Sequence, residues 1–271
     1  MSPWILLRGL TREKRHWGDF PQAMRDSMEE TSVFPLELPG NGELNDQVSP
    51  LHIAAMASHC RDELTRLGVA PPYNLLAMSM GAMVATAWAE AHPEEITACV
   101  LINTSFGSVS PLHQRLRPRA WSLLLKILLS RTARGREHLI LDLTSGRAQA
   151  HSQVVEAWAE IRRSRPVSTR NAFRQLVAAA RYRAPLAAPV STLLLVGARD
   201  GLVDTRCSLA IARRWNCALA IHPEAGHDLP LDDGAWIVDE IRQWLLKERA
   251  DLPTSASEGP SPAGRTGSPR R

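Results

Sequence analysis

The sequence predicts an α/β protein: a mostly parallel sheet of about six strands flanked by helices, with a helical insertion in the middle of the chain. Three observations carry this expectation. Apolar runs alternate with amphipathic helical segments on both sides of the insertion, as in a parallel sheet covered on both faces. Residues 106–190 show helical spacing instead. A chain of 271 residues can bury one large core, and α/β domains often reach this size without splitting.

In chain order the pattern reads as a strand near 4–8, a helix over 16–30, a strand over 32–38, a helix over 51–67, a strand over 73–78, a helix over 80–92 and a strand over 98–103. After the insertion come a strand at 191–197, a helix at 205–215, a strand at 218–222 and a helix at 234–248. Within the insertion, Trp121, Leu124, Leu125 and Leu128 share one helix face, Val154, Trp158 and Ile161 another, and Phe173, Leu176, Val177 and Ala180 a third. Such stripes mostly pack a helix onto its neighbours. The near-continuous apolar run from Trp121 to Leu129, broken by Lys126, is also suited to touching a membrane or a partner, though too short to span a bilayer. The expected division is a core at 1–105 and 191–249, an inserted unit at 106–190 and a disordered tail at 250–271, rich in Pro, Ser, Gly and Ala.

Residues 73–83 read YNLLAMSMGAM: an apolar run delivers Ser79 into a turn of small residues, and a helix-forming segment follows at once. A serine projected from so sharp a strand-to-helix turn sits on strained backbone, with room only for small residues two places to either side. Ala77 and Gly81 occupy those places. The segment is A-x-S-x-G where the usual nucleophile elbow is G-x-S-x-G. A serine nucleophile needs a base to take its proton and an acid to fix the base's tautomer. The run 190–196 ends in a glycine-containing turn that seats Asp200 just beyond a strand, and PEAGHD puts His227 in a turn before the last helix. Asp204 and Asp228 compete for the acid's place; Asp200 ranks first by its position directly after the strand, and Asp204 is a distant second. An ordinary strand end packed on a helix would give the same local pattern at Ser79, but three such segments in order argue against it.

Together with LLLVGARDGLVD and GHDLPLDD, these segments resemble the α/β-hydrolase superfamily, in particular its bacterial single-domain, esterase-like members, over residues 4 to about 248. The resemblance implies a cofactor-independent serine hydrolase that cleaves a carboxylic ester or thioester through an acyl-enzyme. Ser79 would be the nucleophile, His227 the general base and later acid, and Asp200 its orienting partner. It also implies an oxyanion site of two backbone N–H groups, from Met80 and Leu10. Related enzymes often carry His-Gly before the second donor; here the loop reads WILLRGLTR, with Arg8 in place of the histidine. Residues 106–190 would then be a cap, and a sheet without the antiparallel strands that begin larger members is expected. The same triad serves acyl transfer, carbon–carbon cleavage and elimination in other members, and a binding protein can keep the fold, so these stand as alternatives.

Charge is unevenly spread. Residues 106–190 hold fifteen Lys or Arg and four Asp or Glu, a net +11, whereas the rest of the chain is −7. A basic cap can steer anionic ligands, among them an acidic acyl carrier, a CoA thioester or a carboxylate-bearing ester; a solvated arginine-rich surface is the commoner meaning. Nucleic-acid-reading motifs are lacking. Arg8, Arg12 and Trp17 lie on or after the first loop, within reach of the cleft mouth; Arg12 is open to a carboxylate contact but is expected in a surface salt bridge, and His16 either polarises a ligand or, more often for such a residue, begins a helix. The opening has only a short apolar run before charge appears, so a soluble, cytoplasmic protein without a transmembrane segment is expected. Cys60, Cys99, Cys207 and Cys217 lack C-x-x-C spacing, and His52 and His59 have no companion ligands, so no metal is expected.

Overall fold

The computed structural model describes residues 2–28 and 31–250. Six strands, β1 (Trp4–Leu7), β2 (Val33–Leu36), β3 (Tyr73–Met78), β4 (Ile96–Ile102), β5 (Thr192–Gly197) and β6 (Ala218–His222), form one sheet in the order β2-β1-β3-β4-β5-β6. Every neighbouring pair is parallel. The helices are α1 (Phe20–Ser27), α2 (Ile53–Arg66), α3 (Met80–Ala91), α4 (Leu112–Arg115), α5 (Trp121–Leu129), α6 (Ala133–Thr144), α7 (Val154–Ser164), α8 (Thr169–Arg181), α9 (Thr205–Trp215) and α10 (Leu229–Ala250).

Because strand side chains alternate, each strand feeds two cores. Ile5, Leu7, Leu75, Ala77 and Leu101 pack under α2, α3 and α9, while Trp4, Leu6, Leu76, Val100 and Ile102 pack under α1 and α10. The chain leaves β1 toward one edge and β3 toward the other. The order therefore reverses between these two strands, and the crevice at their carboxyl ends is where open parallel sheets bind ligands. The loops after β1 and β3 meet there.

Two expected helices take a different form. The segment 16–30 divides into a 3₁₀ turn at Lys14–Trp17, a reversal at Gly18 with φ of +54°, and α1 with Pro21 in its first turn. The last helix begins at Leu229 and breaks at Asp233 (φ −160°, ψ 79°). The Asp233 carboxylate accepts the Trp236 N–H at 3.0 Å, so the expected start at 234 is that of the capped second half. Beyond Ala250, the tail lies outside the described residues.

The stripes of the insertion fare unequally. Trp158 and Ile161 of α7 are buried. In α8 the buried face is Asn171, Gln175 and Ala178, while Phe173 and Leu176 point to solvent. The two amides are inside because loop backbone without partners in the sheet needs their donors and acceptors. α5 buries none of its residues. No helix among the described residues is long and apolar enough to cross a membrane.

Just beyond β2, Glu37 is buried against Glu13. Burial first, then the hydrogen bond and charge of Glu13, push its carboxyl up to about 8. A carboxyl raised on folding stabilises the fold while protonated; the contribution is complete below the unfolded value of 4.5 and is lost as pH rises through about 8. Glu37→Gln stays neutral throughout. The variant is expected to outlast the wild type in urea above this range and to show a flatter pH dependence within it; parallel curves of urea midpoint against pH would contradict this.

Candidate active site

Ser79 stands between β3 and α3 with φ 55° and ψ −117°, a conformation that L-residues rarely adopt. Its N–H donates to the Ile102 carbonyl at 2.9 Å, and its carbonyl accepts from the Thr104 hydroxyl at 3.0 Å, so the turn is fixed from β4. The small residues have a direct cause. A Cβ on Gly81 would lie 2.5 Å from the carbonyl oxygens of Leu7 and Arg8, and one on Gly9 would lie 3.1 Å from the Ser79 Cβ. The loop after β1 thus passes directly over the elbow. Ser79 is half-buried, while Met78 and Met80 on either side are buried.

Asp200 and His227 are brought together beyond β5 and β6. His227 Nδ1 is 2.7 Å from Asp200 Oδ2, and both side chains are buried. The other carboxylate oxygen accepts the N–H groups of Leu202 and Val203 at 2.8 and 2.9 Å. With the carboxylate acting only as acceptor, the imidazole donates from Nδ1, which leaves the Nε2 lone pair available. The two competing acids are engaged elsewhere. Asp204 caps α9 and pairs with Arg206 and Arg117, with hydrogen bonding from Arg206 the main force holding its carboxyl down at about 2. Asp228 faces Arg8.

In the loop after β1, the N–H groups of Leu10 and, across it, Met80 have no hydrogen-bond acceptor among the described residues. Arg8 is buried, its guanidinium forks onto Asp228 at 3.0 and 2.7 Å, and it lies over the Trp17 ring. Burial pushes the Asp228 carboxyl up, but Arg8, aided by Arg12, more than offsets this and holds it below the usual range. Arg12 is not on the surface as expected: it stacks on Trp158 and pairs with the fully buried Glu137, which also takes Arg162. His16 is buried, accepts the Glu13 N–H at 3.1 Å, and is kept neutral first by burial and then by Arg12 and Arg8.

A sequence model of the alpha/beta hydrolase family matches residues 4–240. The chain belongs to this family. Among solved structures it is similar to a thermophilic esterase from Thermogutta terrifontis, at 21% identity and a TM-score of 0.71, covering 91% of this chain and 90% of that one. It is also similar to the esterase RhEst1 from Rhodococcus sp. ECU1013, at 19% identity, TM-score 0.70 and 90% of each chain. A third is the 2-hydroxy-6-oxo-6-phenylhexa-2,4-dienoate hydrolase from Rhodococcus sp. strain RHA1, at 19% identity, TM-score 0.69, covering 92% of this chain and 90% of that one. At these identities the likeness is one of fold. No curated protein matches the chain by sequence.

This alpha/beta hydrolase positions its site with residues that sequence reasoning passed over. Asn103, buried with φ of 46°, donates to the Gly226 and His227 carbonyls at 2.9 and 2.8 Å and accepts the Gly197 N–H at 2.9 Å. It ties β5 to the histidine turn; an asparagine just past a strand end, where a left-handed residue is needed, is the available signal. Asp232 accepts the N–H groups of Gly226 and Gly146, joining the same turn to the end of α6. From α8, Gln175 accepts the Thr11 N–H at 2.9 Å and donates to Asn41 and Ser49, which fixes the loop after β1 at its left-handed residue Thr11.

The ion pair of Arg8 and Asp228 yields a stability prediction. Arg8→Met leaves a buried carboxylate without its cation, expected to cost about 3–5 kcal/mol in chemical denaturation. Adding Asp228→Leu is expected to restore most of that loss; a double variant as unstable as the single would contradict a pairing role. Among the described residues, His92, Glu94 and Glu95 alone converge with metal-ligand spacing, and they lie before β4, at the opposite end of the sheet from Ser79. Glu95 is committed there to Arg61 and the Trp88 indole.

Proposed function

We propose that the protein is a serine hydrolase that cleaves a carboxylic ester or thioester through an acyl-enzyme. The observation that carries the reading is the 2.7 Å contact between His227 Nδ1 and Asp200 Oδ2, set at the same end of the sheet as a serine held at positive φ. In this reading Ser79 Oγ attacks the carbonyl carbon while His227 Nε2 takes its proton, and Asp200 stabilises the imidazolium. Oxyanion charge is met by the N–H groups of Met80 and Leu10, donors that need no reorganisation as the charge develops. The imidazolium then protonates the leaving alcohol or thiol, and water, activated by the same histidine, releases the acid and restores Ser79.

Residues 106–190 act as a cap in this reading. Support comes from their contacts with three of the four loops that bear the site: Gln175 with the loop after β1, Arg119 with the Asp200 carbonyl, and Thr144 with the Asp228 N–H. The cap's net +11 favours anionic substrates, including CoA- or carrier-bound thioesters.

The test is a p-nitrophenyl ester series from acetyl to dodecanoyl, with a thioester in parallel and the products identified in the presence of an alcohol acceptor. Free acid as the dominant product supports hydrolysis. A transesterified product favours acyl transfer, and folded protein without turnover on any member favours the binding-protein reading.

A further inference from the structure

We propose that α5, with the basic segment around it, docks this protein on an anionic lipid bilayer. The helix reads WSLLLKILL and buries none of its residues. Trp121, Leu125, Leu128 and Leu129 recur at i, i+4, i+7 and i+8, so they form one stripe, and they are 55% to 73% exposed. A contiguous apolar stripe turned to water marks a surface that something covers.

The surrounding charge identifies the occupant. Residues 111–136 contain seven Lys or Arg and no Asp or Glu. Arg115, Arg117 and Arg136 are engaged within the protein, by the Ala179 carbonyl, Asp204, and the Ile127 and Ser130 carbonyls. Arg119, Lys126, Arg131 and Arg134 are exposed, and neither Lys126 nor Arg131 has an acidic partner among the described residues. The apolar stripe thus carries cations before it, within it and after it. That is the arrangement of an interfacial helix: leucines enter the acyl boundary, the tryptophan sits at headgroup level, and the cations meet lipid phosphates. A protein partner would need a groove shaped to a convex helix, whereas a bilayer needs only apolar depth below a negative surface.

Docking would also place the candidate site beside the lipid. The segment leading into α5 is fixed to the Asp200 loop by the Arg117 N–H on the Leu202 carbonyl at 2.9 Å and by Arg119 on the Asp200 carbonyl at 3.2 Å. The docking itself does not depend on the role proposed for Ser79.

The test is co-sedimentation of the full chain with vesicles of phosphatidylcholine alone and of phosphatidylcholine mixed with phosphatidylglycerol. The wild type is expected to bind the anionic vesicles at least about tenfold more tightly, with affinity falling as salt is added. The double variant Leu125→Glu/Leu128→Glu is expected to lose binding, and Lys126→Glu/Arg131→Glu to lose about fivefold or more for each cation. These side chains are exposed, so circular dichroism and turnover of an uncharged soluble ester are expected to be unchanged, which separates failure of docking from failure of the hydrolase reading. Absence of binding by folded wild type, wild-type binding by both double variants, or capture of an acidic acyl carrier protein through these residues with no vesicle binding would each overturn the proposal.

Discussion

Ser79→Ala is expected to lower kcat on a short-chain ester by about 10⁶-fold, the scale on which loss of a triad nucleophile acts in serine hydrolases. The substitution removes one oxygen from a half-buried position that forms no side-chain hydrogen bond among the described residues. The bonds to the Ile102 carbonyl and from the Thr104 hydroxyl that hold the turn use only main-chain atoms of residue 79 and survive the change. Stability and circular dichroism are therefore expected to stay close to wild type while initial rates collapse. Retention of more than about a hundredth of the wild-type rate would mean that chemistry proceeds without this hydroxyl.

The second largest effect is expected at Asp200. Asp200→Asn keeps the size of the side chain, and its carbonyl oxygen can still accept the Leu202 and Val203 N–H groups. Its amide nitrogen then faces His227 Nδ1 and donates to it, which forces the ring proton onto Nε2. A histidine in that tautomer cannot take the serine proton, and kcat is expected to fall about 10⁴-fold. KM is expected to change little, because Asp200 is buried behind the imidazole. Asp204→Asn is the control: its carboxylate serves Arg206, Arg117 and the start of α9, so kcat should stay within a few-fold of wild type. A loss at Asp204 equal to that at Asp200 would sink the assignment of the acid.

Much of this architecture was legible because it follows from local pattern. Strands β3 and β6 and helix α9 lie at the residues that the apolar runs and helical spacing indicate. The same holds for the placement of Asp200 and His227 in turns after strands. What stayed hidden depends on contacts between distant parts of the chain. Arg8 and Asp228 are 220 positions apart, and nothing near either announces the other. Gln175 is a polar residue on a helix whose hydrophobic spacing points elsewhere; its burial is dictated by the backbone needs of Thr11 and by Asn41 and Ser49. α5 inverts the usual rule, because the spacing of its leucines reports a face without saying what covers it.

Covalent trapping tests the central claim, nucleophilic catalysis by Ser79, most directly. Wild type, Ser79→Ala and His227→Ala would be treated with a fluorophosphonate and followed by intact mass, with the adduct placed by peptide mapping. The expected result is a single phosphonyl adduct on Ser79 in the wild type, none in Ser79→Ala, and a greatly slowed reaction in His227→Ala. Label on another residue, label persisting in Ser79→Ala, or folded wild type that turns over esters without being labelled would contradict it.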